Sequence, residues 1–170
     1  METQQTQPPV LKLSWREKFA GILVLIIGIV YLLWQVADFM SSKSDAYAVK
    51  EGNIQISRAE LLNHARSILS ILLALTGGWL LLKGKRAGWV IGVTLLILLN
   101  AIAVILMISG FSLTDTTNKI AGAVVVFIML LALLFLLLPS ARLKYKVSKR
   151  TYLPTLVLLL ILVGIYFFLQ

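Results

Sequence analysis

The chain has no cysteine among its 170 residues. Disulfides and thiolate metal sites are excluded, and the redox compartment is left open. It has one histidine, His64. A single imidazole with no thiol and no second histidine makes no convincing metal site, and no cofactor is expected. Acid is also scarce, with 7 Asp and Glu against 16 Lys and Arg, a formal net charge of +9. Beyond Leu61 the only carboxylate is Asp115. A proton or cation relay through that part of the chain would need carriers it does not have. The 4 prolines leave the middle of every apolar run intact.

What the chain has is long apolar runs. Hydrophobic residues make up 59% of it, against about 45–50% in soluble domains, and they fall in blocks. The sequence predicts an all-α integral membrane protein, a bundle of five transmembrane helices with a small extracytoplasmic cap. The spans are residues 19–40, 67–82, 88–109, 120–138 and 152–169. A span needs about 20 mostly apolar residues, so the second and fifth are short. The second is lengthened by its start. Ser57, Arg58, Ala59 and Glu60 form a capping-box pattern, in which Ser57 and Glu60 can satisfy each other's backbone N–H groups, so the helix begins near residue 58. Ser14, Trp15, Arg16 and Glu17 form a second box and open the first helix. Residues 1–13 read as a flexible tail, and residues 14–170 as one membrane domain. The first run is too long for a cleavable signal and lacks a small-residue cleavage site, so it reads as a permanent span.

Basic residues set the direction. With the N-terminus inside, 11 of the 16 fall in cytoplasmic segments, as the positive-inside rule requires. Five spans then put the C-terminus outside. The expected location is a prokaryotic cell membrane. Because the bases sit in short segments between apolar blocks, the partner they imply is the anionic headgroups of the inner face, not nucleic acid.

Residues 41–65 form the one long polar stretch, placed outside, with an outer loop at 41–57. Residues 46–56 alternate around Gly52 and Asn53, which suits a short β-hairpin. The stretch exceeds what a connection needs, and reads as a cap presenting a contact surface.

Few residues in the spans carry chemistry. Asp38, in the last turn of the first span, is expected to pair with His64 or Arg66 at the top of the second. Gln35 lies one turn below Asp38 on roughly the same face. Asn100 sits near the middle of the third span, where an amide must find a partner; the expected use is a bond between helices. Gly77 and Gly78, and the four-residue series Gly84, Gly88 and Gly92, mark close helix packing. The inner connection from Lys83 to Ala87 is very short, so the second and third spans are expected to form an antiparallel hairpin, with Trp79 and Trp89 as interface anchors at its inner end. Pro139 should stop the fourth span. It leads into a basic loop with Arg142, Lys144, Lys146, Lys149 and Arg150, which sets topology and offers a lipid or partner surface.

Three function classes follow. The first is a non-catalytic subunit, assembly factor or regulator of a membrane complex, with a membrane-protein partner or a second copy of itself. It fits the lack of buried charge and the packing glycines. The second is a small oligomeric channel or transporter using Gln35, Asp38 and Asn100; it would need a polar seam through the bundle. The third, less favoured, is an enzyme on lipid headgroups at the outer surface, using Asp38 and His64. No catalytic residue is assigned.

Overall fold

The computed structural model describes residues 13–46, 58–108 and 116–168. Every long element is helical: α1 (Trp15–Ala46), α2 (Arg58–Leu82), α3 (Arg86–Ile108), α4 (Thr116–Leu137), the short α5 (Pro139–Lys144) and α6 (Tyr152–Phe168). A 3-10 turn, Lys149–Thr151, leads into α6. There is no strand among the described residues. The tail at 1–12 and all but the first residue of the expected hairpin at 46–56 lie outside them.

Five helices, all but α5, are long and apolar enough to cross a membrane. α1 packs along α2, α2 on α3, α3 on α4, and α4 back on α1, closing a ring of four. α6 lies against the outer side of this ring, on α3. It runs the length of the bundle. Tyr152, at its start, meets Trp89 edge-to-face at 5.9 Å. Near its end the Tyr166 ring lies 5.5 Å beneath the Arg66 guanidinium, at the other end of the molecule.

The ring closes on small residues. Gly78 of α2 faces α1 so closely that a Cβ there would stand 2.9 Å from the Leu25 backbone nitrogen. Gly88 of α3 faces α2, and a Cβ there would overlap the backbone of Leu80 and Leu81. Gly77 and Gly92 face Ile91 and Leu81 across the same α2–α3 contact. Thus Gly77, Gly78, Gly88 and Gly92 lie against a neighbouring helix of the same chain, whereas Gly84, the fifth glycine singled out in the sequence, sits in the turn between α2 and α3 and meets only the Leu13 side chain. The core between the helices holds Ala20 and Val24 of α1, Ala74 and Leu81 of α2, Val93 and Leu96 of α3, and Met129, Ala132 and Leu136 of α4. Many large apolar side chains face outward instead, such as Ile29, Leu33, Ile105, Phe127 and Leu160.

Three boundaries differ from the sequence reading. α1 continues six residues past the expected end of its span, to Ala46. Hydropathy locates where apolar character stops, and residues 41–46 contain no glycine or proline to end a helix. α4 likewise starts at Thr116, before its apolar run. The basic loop after Pro139 contains a helix. Leu138, held extended at ψ 144 before proline, ends α4, and Pro139 then serves as the first residue of α5, a position that suits its fixed φ.

Candidate functional site

The basic side chains of residues 83–86 and 142–150 gather at one end of the bundle, where α2 turns into α3 and α4 turns through α5 into α6. Each turn is closed in the same way. At the end of α2, the Gly84 N–H donates to Leu81 O and the Lys85 N–H to Leu80 O, both at 2.9 Å. This is a Schellman closure, which needs a left-handed residue, and Gly84 supplies it at φ 67. At the end of α5, the Lys146 N–H donates to Leu143 O at 3.1 Å and the Val147 N–H to Arg142 O at 2.8 Å. The pattern is identical, but the left-handed residue, at φ 52, is a lysine. A side chain in that conformation costs about 1–2 kcal/mol relative to glycine.

The two turns are bolted together. Tyr145 is almost wholly buried, and its hydroxyl donates to Leu81 O at 3.0 Å. Burial pushes the Tyr145 phenol well above its ordinary range, and the nearby Glu17 carboxylate pushes it the same way. It therefore stays a neutral donor. Glu17, 2% exposed, accepts from the Ser14 N–H at 2.5 Å and from Lys144 Nζ at 3.0 Å. The first bond is the reach-back half of the expected capping box. The second ties the start of α1 to α5, across 127 residues of sequence. The start of α1 also meets α4 through Phe19 and Phe135, with rings 6.1 Å apart.

Trp89 completes the frame and corrects one expectation. It is fully buried rather than an exposed anchor. Gly88 draws α3 onto α2, and the next residue then points into the bundle. There its Nε1–H donates to Leu136 O at 2.8 Å, a carbonyl in the last turn of α4, where helical partners run out. Trp79 is exposed, with Lys83 Nζ 4.7 Å over its ring.

Between the two turns lies a cavity of about 380 Å³. Residues 83–86 line one side and residues 144–146 the other. Five of these seven are cationic: Lys83, Lys85, Arg86, Lys144 and Lys146. Of the other basic-loop residues, Arg142 stacks its guanidinium 5.8 Å over Tyr152 and keeps a buried Nε without a hydrogen-bond partner. Lys149 and Arg150 are exposed on the 3-10 turn.

The remaining candidates are scattered. Asp38 is exposed and Gln35 half-buried on α1. The structure does not join Asp38 to His64, whose Nδ1 is buried without a hydrogen-bond partner. At that end α1 and α2 meet instead through Tyr31 and Ser67, hydroxyls 3.2 Å apart. Asn100 donates from Nδ2 to Leu96 O of its own helix at 2.7 Å, not to a neighbour, and its buried Oδ1 has no partner. Thr94 and Ser70 also bond back into their own helices, and Thr155 donates to the Thr151 carbonyl of the preceding 3-10 turn. Thr94 alone of these reaches a second long helix, at 3.4 Å from the Thr155 carbonyl.

Sequence reasoning found the basic loop but missed its opposite wall, its tyrosine and its acid. Glu17 carried a usable signal: it is a lone acid beside Lys12, Arg16 and Lys18. Tyr145 carried none. Compared with known protein families, curated proteins and solved structures, the chain matches none.

Proposed function

We propose that the chain is a multi-pass membrane protein and a non-catalytic subunit, assembly factor or regulator of a membrane complex. The observation that carries this reading is how the interior polar groups are spent. Among the described residues, those in the buried middle of the bundle are chiefly Thr94 and Asn100. Both donate to α3 carbonyls, as polar side chains do where no water is at hand; Thr94 also reaches the Thr155 carbonyl of α6, and of the two only the Asn100 Oδ1 is left without a partner. A conduction path would present such groups to a lumen instead. Around them the core is aliphatic. Chemistry is concentrated at the basic end, and the positive-inside rule favours the cytoplasmic side for it.

The reading is tested by gentle extraction of the tagged full chain from its native membrane. Every co-purifying protein is then identified and its stoichiometry measured. A stoichiometric protein partner is the expected result. A homo-oligomer reproducibly free of other proteins, with solute flux across liposomes, would replace this reading with a channel or transporter.

A further inference from the structure

We propose that the cavity between the two turns is a binding site for a phosphate-bearing anion, its source being the headgroup of an anionic lipid. The charge count is the first argument. Among the described residues, five cations face a single carboxylate, Glu17, and the C-terminal ends of α2 and α5. A helix C-terminus carries about −0.5 of a charge, and six-residue α5 carries less. Pairing and capping thus leave an excess of about three positive charges around one hollow.

The second argument is that these charges are held together at a cost. Lysines that served only to set topology could spread away from each other on flexible loops. Here the walls are fixed by the Tyr145–Leu81 hydrogen bond and the Lys144–Glu17 ion pair. Moreover, the turn position that favours glycine holds Lys146. The neighbouring turn, with the same bonding pattern, does use glycine. Backbone strain of this kind clusters at ligand sites, and of the two equivalent positions only this one bears a side chain. The strained side chain here is a cation lining the cavity.

Access and depth agree. The hollow of about 380 Å³ is open, with Lys83, Lys85, Arg86 and Lys146 exposed at its walls, so a headgroup can enter it from the surface. Exposed Trp79, beneath Lys83, is a residue type that settles at headgroup depth. A phosphate group accepts from several ammonium and guanidinium donors at once. The same chemistry would also suit soluble phosphate, and the experiment separates the two. The lipid source rests on the membrane-spanning reading; the soluble one does not.

The purified full chain is placed in nanodiscs of phosphatidylcholine, with and without phosphatidylglycerol. Native mass spectrometry counts retained phosphatidylglycerol, and calorimetry titrates inorganic phosphate into the phosphatidylcholine discs. Two variants alter the cavity: Lys85→Gln with Arg86→Gln, and Lys146→Gly, which removes a charge while relieving the strained turn. A control, Lys149→Gln with Arg150→Gln, removes equal charge from the adjacent 3-10 turn. The first cavity variant should weaken binding about 10- to 30-fold, the product of two lost headgroup contacts. Lys146→Gly should weaken it without loss of stability, and the control should bind like the unaltered chain. Saturation by phosphatidylglycerol alone identifies a lipid source, and saturation by inorganic phosphate a soluble one; either upholds the site. Equal losses in cavity and control variants, or no saturation by either probe, would overturn it. Helical protein recovered in the discs, read by circular dichroism, supports the membrane reading whichever way binding turns out.

Discussion

At Lys146 conformation and charge pull in opposite directions. Its backbone wants glycine and its side chain completes a ring of cations. Lys146→Gly should therefore raise stability by about 0.5–1 kcal/mol, the strain relieved less the extra freedom glycine gains when unfolded. Denaturant unfolding in detergent checks this; a less stable variant would show that the lysine contributes more to the fold than its backbone costs. Tyr145 offers the complementary test. Tyr145→Phe removes one buried hydrogen bond, for a loss of about 1 kcal/mol near neutral pH. Because burial disfavours the phenolate in the folded chain, the unfolded chain gives up its proton first, near the ordinary value of 10.0. Stability that is complete below that pH is then lost as pH rises toward the higher folded value. The gap between the unaltered chain and Tyr145→Phe should narrow, and then reverse, above about pH 10. Parallel pH curves would mean that Tyr145 ionises as freely folded as unfolded.

Among the elements, glycines of the same composition differ in what surrounds them. Gly88 touches the α2 backbone, which cannot move without moving the helix. Gly88→Ala should cost about 3 kcal/mol or more, the upper end of overpacking. Gly164 has nothing within 4 Å of where a Cβ would stand, so Gly164→Ala should be neutral or stabilising by up to about 1 kcal/mol. Thermal unfolding of both variants in one detergent tests the contrast; similar effects would mean the α2–α3 hairpin packs less tightly than its glycines indicate. The short connection from Lys83 to Ala87 made this hairpin legible in the sequence, and Gly88 and Gly92 marked its packed face; Gly84, read as the third member of that series, is instead the left-handed residue of the turn. The start of α2 at Arg58 was legible too, from its capping pattern. The end of α1 and the whole of α5 were not. Both depend on the absence or placement of helix breakers in polar sequence, where hydropathy is silent.

For the whole molecule, five apolar runs were readable and five long helices formed, since each run is long enough to satisfy its own backbone without neighbours. What the runs could not reveal was which of them touch. The basic end joins residue 17 to 144 and residue 81 to 145, across the closed ring of helices, and no local pattern encodes that closure. Orientation remains a matter of charge, and the lack of cysteine makes it directly measurable, since any introduced thiol is the sole one. In intact cells a membrane-impermeant maleimide should label Lys43→Cys at once and Lys149→Cys only after the membrane is opened. The reverse pattern would move the cation-lined cavity to the outer leaflet. Gln170→Cys should label with residue 43, because α6 runs from Trp89 at the basic end to Arg66 at the other. Labelling with residue 149 instead would require α6 to leave α3 and lie along the surface. That would expose the carbonyl of Thr155 now met by Thr94 and uncover Trp89, so a four-span topology must come with a fluorescence shift of that tryptophan toward the polar range.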